Sequence, residues 1–120
     1  MPETENNNVS MDLKSFESLV KKQDALLFYF TGEACTVCAS LKPKLSELMI
    51  SKFPKVEVHY LEISKSSMLC AQLRMLSVPG ILFIMDGKEV FRSNGLISMK
   101  VLEAKIERPY SLFFENGKNK

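Results

Sequence analysis

Two cysteines stand close together in Glu33-Ala34-Cys35-Thr36-Val37-Cys38, and a C-x-x-C of this kind has a short list of chemistries. It can clip a metal ion with help from two further thiolate or imidazole ligands. It can cycle between dithiol and disulfide. Or the two thiols can be inert packing groups. The surroundings of the pair separate these readings. Before it, Ala25-Leu26-Leu27-Phe28-Tyr29-Phe30-Thr31 is a continuous apolar run of strand length, suited to a strand buried on both faces. Gly32 and Glu33 make a turn. From Thr36 to about Lys52, Leu41, Leu45, Leu48 and Met49 fall on one side of a helical pattern and Lys42, Lys44 and Glu47 on the other.

The pair therefore stands where a strand ends and a helix begins. A cysteine at a helix N-terminus faces unpaired backbone N–H groups and the positive end of the helix dipole, and both favour the thiolate, lowering its pKa from about 8.5 toward neutrality. Cys35 takes that position. Cys38, one turn deeper on the same face, is within reach for a disulfide. The chemistry this predicts is attack by Cys35 on a partner disulfide, followed by resolution of the mixed disulfide by Cys38. A zinc site needs two more ligands, and only Cys70 and His59 offer themselves, neither in a second ligand pair. A metal cluster shared between two chains has no other support in the sequence. Cys70 lies on the apolar stripe of its own helix and reads as a small core residue; His59 lies in a strand and is given no role.

The elements that must hold this turn in place are legible along the chain. Residues 1–9 have the composition of a flexible tail. A helix begins near Ser10 or Asp12, either of which can cap it, with Leu13, Phe16, Leu19 and Val20 inward and Lys14, Glu17, Lys21 and Lys22 outward. After the first strand comes the helix opened by the cysteines, with Pro43 inside it as a kink and Phe53-Pro54 at its end. Lys55 to Ile63 reads as a second strand. Ser64 can cap the next helix, whose apolar positions are Leu69, Cys70, Leu73 and Leu76. Ser77-Val78-Pro79-Gly80 breaks it, and Ile81 to Met85 is a third strand. Asp86-Gly87 signals a hairpin to the strand Lys88 to Arg92. A last helix from about Ser98 carries Val101, Leu102 and Ile106; Pro109 kinks or ends it, and Tyr110 to Phe114 should dock on the core before a tail over 116–120. The order helix-strand-helix-strand-helix-strand-strand-helix implies an α/β domain over 10–115, with parallel early strands and an antiparallel final hairpin.

Composition excludes several classes of function. With 46% hydrophobic and 25% charged residues in 120, the chain has the make-up of an ordinary globular domain large enough to build its own core. A net charge of +2, without a basic cluster interleaved with aromatics, gives no footprint for nucleic acid or an acidic membrane surface. The N-terminus has no basic n-region or apolar h-region, and no apolar run approaches the roughly 20 residues of a membrane span, so the protein reads as cytoplasmic. Three cysteines are too few for a disulfide framework, and in a reducing compartment a close pair is catalytic, redox-sensing or metal-binding rather than structural.

These features together resemble the thioredoxin family, over roughly residues 10–108. The C-x-x-C follows the first long apolar strand. Pro43 stands five residues after Cys38, where the family carries a helix-kinking proline; Val78-Pro79 precedes the third strand, where the family places a cis-proline; Asp86-Gly87 matches its final hairpin and Gly95 the glycine after it. The resemblance implies a thioredoxin fold, with a central mixed sheet of about four strands flanked by helices on both faces. It implies Cys35 and Cys38 as catalytic thiols, and Val78 and Pro79 as the groups that bind an extended substrate segment by strand addition. It implies protein disulfides as substrates, a recycling reductase as partner, no bound cofactor or metal, and a monomer.

The chain also departs from the family. Ala34-Cys35-Thr36-Val37-Cys38 replaces the usual Trp-Cys-Gly-Pro-Cys, and there is no tryptophan in the chain. Gly80 replaces the threonine common after the cis-proline. A gap-free alignment places Tyr29 at the family's buried aspartate and Tyr60 at the lysine near it, so both members of that ion pair are lost together. The expected consequence is slower resolution, or a proton handed to water or to a carboxylate such as Glu62; Lys42, Lys44 and Lys52 read as a solvated helix face, of which Lys42 could add to the positive field near Cys38. Two functions follow. One is a dithiol–disulfide oxidoreductase contributing to cell redox homeostasis. The other is a thioredoxin-fold binding or adaptor module whose cysteine pair is a slow switch or a vestige.

Overall fold

The structure is a computed structural model describing residues 10–116; the expected tail over 1–9 and the end of that over 116–120 lie outside the described residues. Helix α1 (Leu13–Lys22) begins at Asp12, whose carboxylate oxygen accepts the Ser15 N–H at 2.9 Å. Of the two possible caps, Asp12 is the one used. The buried strand β1 (Ala25–Thr31) leads through the cysteine turn to α2 (Thr36–Lys52). Strand β2 (Glu57–Glu62), a 3₁₀ turn (Ile63–Lys65) and α3 (Ser67–Leu73) follow, then β3 (Gly80–Met85), β4 (Lys88–Ser93) and α4 (Met99–Ser111), which passes into a π-type turn (Leu112–Asn116). Asp86 and Gly87 both take positive φ, 54° and 76°, as the two-residue hairpin turn requires.

The four strands form one sheet in the order β2-β1-β3-β4. β1 and β2 are parallel, with Tyr29 opposite Tyr60, while β3 is antiparallel to both β1 and β4. A helix thus joins β2 to β3 without making β3 parallel to the early strands: the chain enters β3 on the far side of β1 from β2, running back.

Three sequence expectations need correction. Ser64 does not cap α3, because the 3₁₀ turn intervenes; its hydroxyl donates instead to the Glu62 carboxylate at 2.8 Å. Ser66 precedes the helix without a side-chain cap bond, its Oγ accepting the Met11 N–H at 2.8 Å. Leu76 is not on the inner stripe of α3: the helix stops at Leu73, Arg74 turns left-handed at φ 61°, and Leu76 is left 68% exposed. Val101 likewise faces outward, and Leu102, Ile106 and Tyr110 form the buried stripe of α4. Pro109 is accommodated inside α4, and the widened turn after Ser111 tucks the Phe114 ring 4.8 Å from that of Tyr110.

Because β1 is buried on both sides, alternate residues serve two cores. Leu27 and Tyr29 pack with Ile81 and Phe83 against Leu45 and Met49 of α2 and Leu102 and Ile106 of α4. Leu26, Phe28 and Phe30 pack with Leu82 and Ile84 against Phe16 of α1 and Leu69 and Cys70 of α3. The helices therefore cover both faces, and the cysteine turn and the Val78–Pro79 segment are delivered to the site by different layers.

Candidate redox site

Cys35 is the N-cap residue of α2: its backbone is extended (φ −97°, ψ 99°) and its Sγ accepts the Cys38 N–H at 3.1 Å. A sulfur therefore does here what a Ser or Asp oxygen does at other helix starts. Cys35 and Cys38 are joined as a disulfide, with their Cα atoms 5.2 Å apart. Cys35 is half-buried and Cys38 fully buried, so an incoming group can reach only the first sulfur of the pair. Once reduced, the Cys35 sulfur remains at the positive end of a 17-residue helix with a backbone donor aimed at it, the setting that favours a thiolate.

Beneath the pair lies Tyr29. Its position in β1 points it to the α2 side, and its hydroxyl donates to the Cys38 carbonyl at 2.8 Å. Burial, with Tyr60 adding to it, pushes the phenol up to about 12, so Tyr29 keeps its proton at ordinary pH and is a donor, never a base. The sequence aligns Tyr29 with the family's buried aspartate; its bond to the carbonyl of Cys38 has no sequence signal. Tyr60 meets Tyr29 edge-on at 6.1 Å between ring centres, and the Lys42 ammonium lies 4.9 Å above the Tyr60 ring. Burial pulls the Lys42 amine below the usual lysine range. Glu62 is buried at the end of β2, opposite Thr31 in the register, with the Ser64 hydroxyl bonded to it.

The Val78–Pro79 peptide bond is cis, with Pro79 buried and Val78 half-buried. Gly32 is the contact point between this segment and the cysteine turn: a Cβ at Gly32 would lie 3.2 Å from Val78 Cγ2 and 3.7 Å from Cys35 Cβ. The structure thus brings Val78 and Cys35 together at one glycine, on the side where a side chain there would stand. Sequence reasoning treats Gly32 only as a turn; the available signal is its place between the strand and the first cysteine. Gly80 has an equally local explanation. A Cβ there would meet Met75 Cε at 2.9 Å, the Ser77 carbonyl oxygen at 3.1 Å and Phe30 Cβ at 3.4 Å. Met75, fully buried, fills the room that a side chain at position 80 would need.

Val37 and Leu96, 45% and 71% exposed, flank a shallow groove beside the pair, floored by Leu41 and edged by Thr36, Ser40 and Lys44. Among the described residues no group of three or more His, Cys, Asp and Glu side chains is placed to hold a metal ion. Cys70 is on the other side of the sheet, fully buried, and burial pushes its thiol up, away from reactivity. His59 bonds to Glu57 at 2.6 Å and stacks on Phe28. Among the described residues no helix is long and apolar enough to cross a membrane.

A family model described as Thioredoxin matches residues 7–108. The thioredoxin-like protein YdfQ of Bacillus subtilis (strain 168) is 26% identical over 101 residues, covering 84% of this chain and 89% of that protein. A thioredoxin of Chlamydia muridarum (strain MoPn / Nigg) is 37% identical over 71 residues, covering 59% of this chain and 69% of its own. Among solved structures, the oxidized form of mitochondrial thioredoxin 3 from Saccharomyces cerevisiae matches with a TM-score of 0.75 at 20% identity, covering 88% of this chain and 98% of that one. Fasciola hepatica thioredoxin matches with a TM-score of 0.70 at 26% identity, covering 82% and 95%.

Proposed function

The chain belongs to the thioredoxin family, and from that premise we propose that it is a protein-disulfide reductase working through Cys35 and Cys38. The observation that carries this reading is the sulfur of Cys35 capping α2 above a buried Cys38. The Cys35 thiolate attacks one sulfur of a client disulfide; that S–S bond breaks, the second client sulfur leaves and takes a proton, and a mixed disulfide forms. Cys38 then loses its proton and attacks the Cys35 sulfur, releasing the first client thiol. Two electrons have passed to the client, and the enzyme is left with the Cys35–Cys38 disulfide. A dithiol reductase must reduce that bond before the next turnover.

Val78 offers the backbone on which an extended client segment pairs, Pro79 fixes its shape, and the Gly32 contact sets its distance from Cys35. Tyr29 cannot take the Cys38 proton, because burial keeps its own phenol protonated. Resolution therefore depends on water or Glu62, and we expect it to be the slow step. We place this monomeric reductase in the cytoplasm, without a bound cofactor. The test is insulin reduction with dithiothreitol as the electron source. Wild type should accelerate precipitation of the insulin chains and Cys35→Ser should not; absence of activity in both would favour a binding or adaptor module instead.

A further inference from the structure

The segment that runs from α3 to the cis-proline is tied at its root to the edge strand β4 by one side chain. In β4 the register skips a residue: Phe91 faces Phe83 and Glu89 faces Ile84, leaving Val90 as a bulge. In a regular strand, residues three apart point to opposite faces. The bulge removes that alternation, so Glu89 (opposite Ile84) and Arg92 (opposite Leu82) share the face covered by α3. There they form a two-pronged pair, Nε to Oε2 at 2.7 Å and Nη2 to Oε1 at 2.8 Å, which fixes the plane of the guanidinium. The remaining nitrogen, Nη1, then points at the end of α3. It donates to the Leu73 carbonyl at 2.9 Å and lies 3.3 Å from Met75 Sδ and 3.5 Å from the Arg74 carbonyl. Leu73 ends the helix and Arg74 is its C-cap, and their carbonyls lack helical partners and stand at its negative pole. Arg74 is also left-handed, a conformation that costs free energy in a residue with a Cβ and needs outside support.

We propose that Arg92 is a positioning residue for client binding: oriented by Glu89 across the β4 bulge, it anchors residues 73–75 and thereby sets where Val78 and Pro79 stand relative to Cys35. The inference rests on the proposed reductase activity and names a part of the site outside the cysteine turn. The mechanical link is short. Met75, held by Arg92 at its sulfur, packs its methyl against Gly80, so the segment 76–79 is pinned at both ends while Leu76 and Ser77 stay exposed between them. The partners of Arg92 are Glu89, Leu73, Arg74 and Met75, on the α3 side of the sheet, so its effect should fall on binding an extended chain and spare the thiol chemistry.

The experiment compares wild type, Arg92→Met and Arg92→Lys. Arg92→Met keeps an unbranched stem without the donors; Arg92→Lys keeps the charge but cannot hold Glu89 and the Leu73 carbonyl in one plane. Four quantities are measured: KM and kcat for insulin reduction, the rate with 5,5′-dithiobis(2-nitrobenzoate), a small disulfide with no chain to pair, and amide exchange at residues 75–78. Arg92→Met should raise KM for insulin on the order of tenfold, as loss of charge-assisted hydrogen bonds allows, with kcat little changed. The small-disulfide rate should stay at the wild-type value, and exchange at 75–78 should quicken; Arg92→Lys should fall between. An unchanged KM overturns the inference, and so does a parallel loss in all rates that follows the melting temperature. If wild type reduces neither disulfide, the reductase function itself fails, and exchange alone then decides whether Arg92 holds the segment, unchanged exchange overturning that too.

Discussion

The α2–α4 face of the sheet and the α1–α3 face are both closed by large apolar side chains, yet they differ in what they carry inward. The first core includes Tyr29 and Tyr110, each with a hydroxyl that finds a backbone partner: Tyr29 on the Cys38 carbonyl, Tyr110 accepting the Lys55 N–H at 3.3 Å. The second core is hydrocarbon and sulfur, with Cys70 and Met75 fully buried in it, and its one buried hydroxyl among the described residues, that of Ser66, sits at the rim where α3 starts and accepts the Met11 N–H. Each side also has a fully buried cysteine, and their contrast is instructive. Cys38 sits in the first turn of α2, next to a cysteine that caps it, whereas Cys70 sits within α3 among hydrocarbon. Burial is the same; placement along a helix differs. In the proposed reductase, reactivity comes from the helix terminus and from access through Cys35, while the opposite core supplies a stiff backing and, through Met75 and Arg92, the proposed floor for a client segment.

If the two faces are separable in this way, damage to one should leave the chemistry of the other readable. The largest effect should come from Phe28→Ala. Phe28 is fully buried and its ring lies 5.0 Å from Phe16 and 5.4 Å from His59, so its loss should cost about 3–5 kcal/mol in denaturant unfolding. At temperatures where the variant remains folded, the Cys35 thiol pKa, read from the pH dependence of its alkylation, should match wild type. A shifted value would break the separation.

A smaller effect should follow from Gly80→Thr, since its Cβ would press on Met75, the Ser77 carbonyl and Phe30. Overpacking of this kind should cost about 1–3 kcal/mol. Adding Met75→Ala should recover part of that, so that the double variant is more stable than the two single losses predict; strict additivity would refute the complementarity of Met75 and Gly80.

The smallest of the three should be Tyr29→Phe, which removes one hydroxyl bond, for a cost of about 1 kcal/mol near neutral pH. Its pH dependence sharpens the comparison. A phenol whose folded pKa is raised from its ordinary value of 10 to about 12 stabilises the fold fully below pH 10, and that contribution drains away as pH rises to 12. Wild type should therefore lose stability across this window and Tyr29→Phe should lose less. Equal losses would place the titrating group elsewhere.

Much of this arrangement was legible in the residues. A run such as Leu26 to Phe30 has one economical use, and Asp86-Gly87 one turn, so strands and hairpin could be drawn from local pattern. The cysteines could be assigned because the strand before them and the helix after them fix where they stand. What local pattern could not show was anything decided between elements. Arg74 ends α3 in a conformation that usually signals glycine, so Leu76 seemed to continue a stripe it does not join. The Tyr29–Cys38 bond, the exchange of room between Met75 and Gly80, and the alignment of Glu89 with Arg92 across a bulge each depend on a register or a crossing that single-sequence spacing does not encode.

The π-type turn after α4 has a practical consequence for where this domain is cut. The family match stops at residue 108, yet the Tyr110 ring lies 5.1 Å from Phe53 and 4.8 Å from Phe114, and all three belong to the α2–α4 core. A fragment trimmed at the homology boundary would lose its stopper. The hydrocarbon at the foot of α2 and α4 would open to water and offer a sticky patch for self-association, while the redox turn at the other end of α2 would still look intact by sequence.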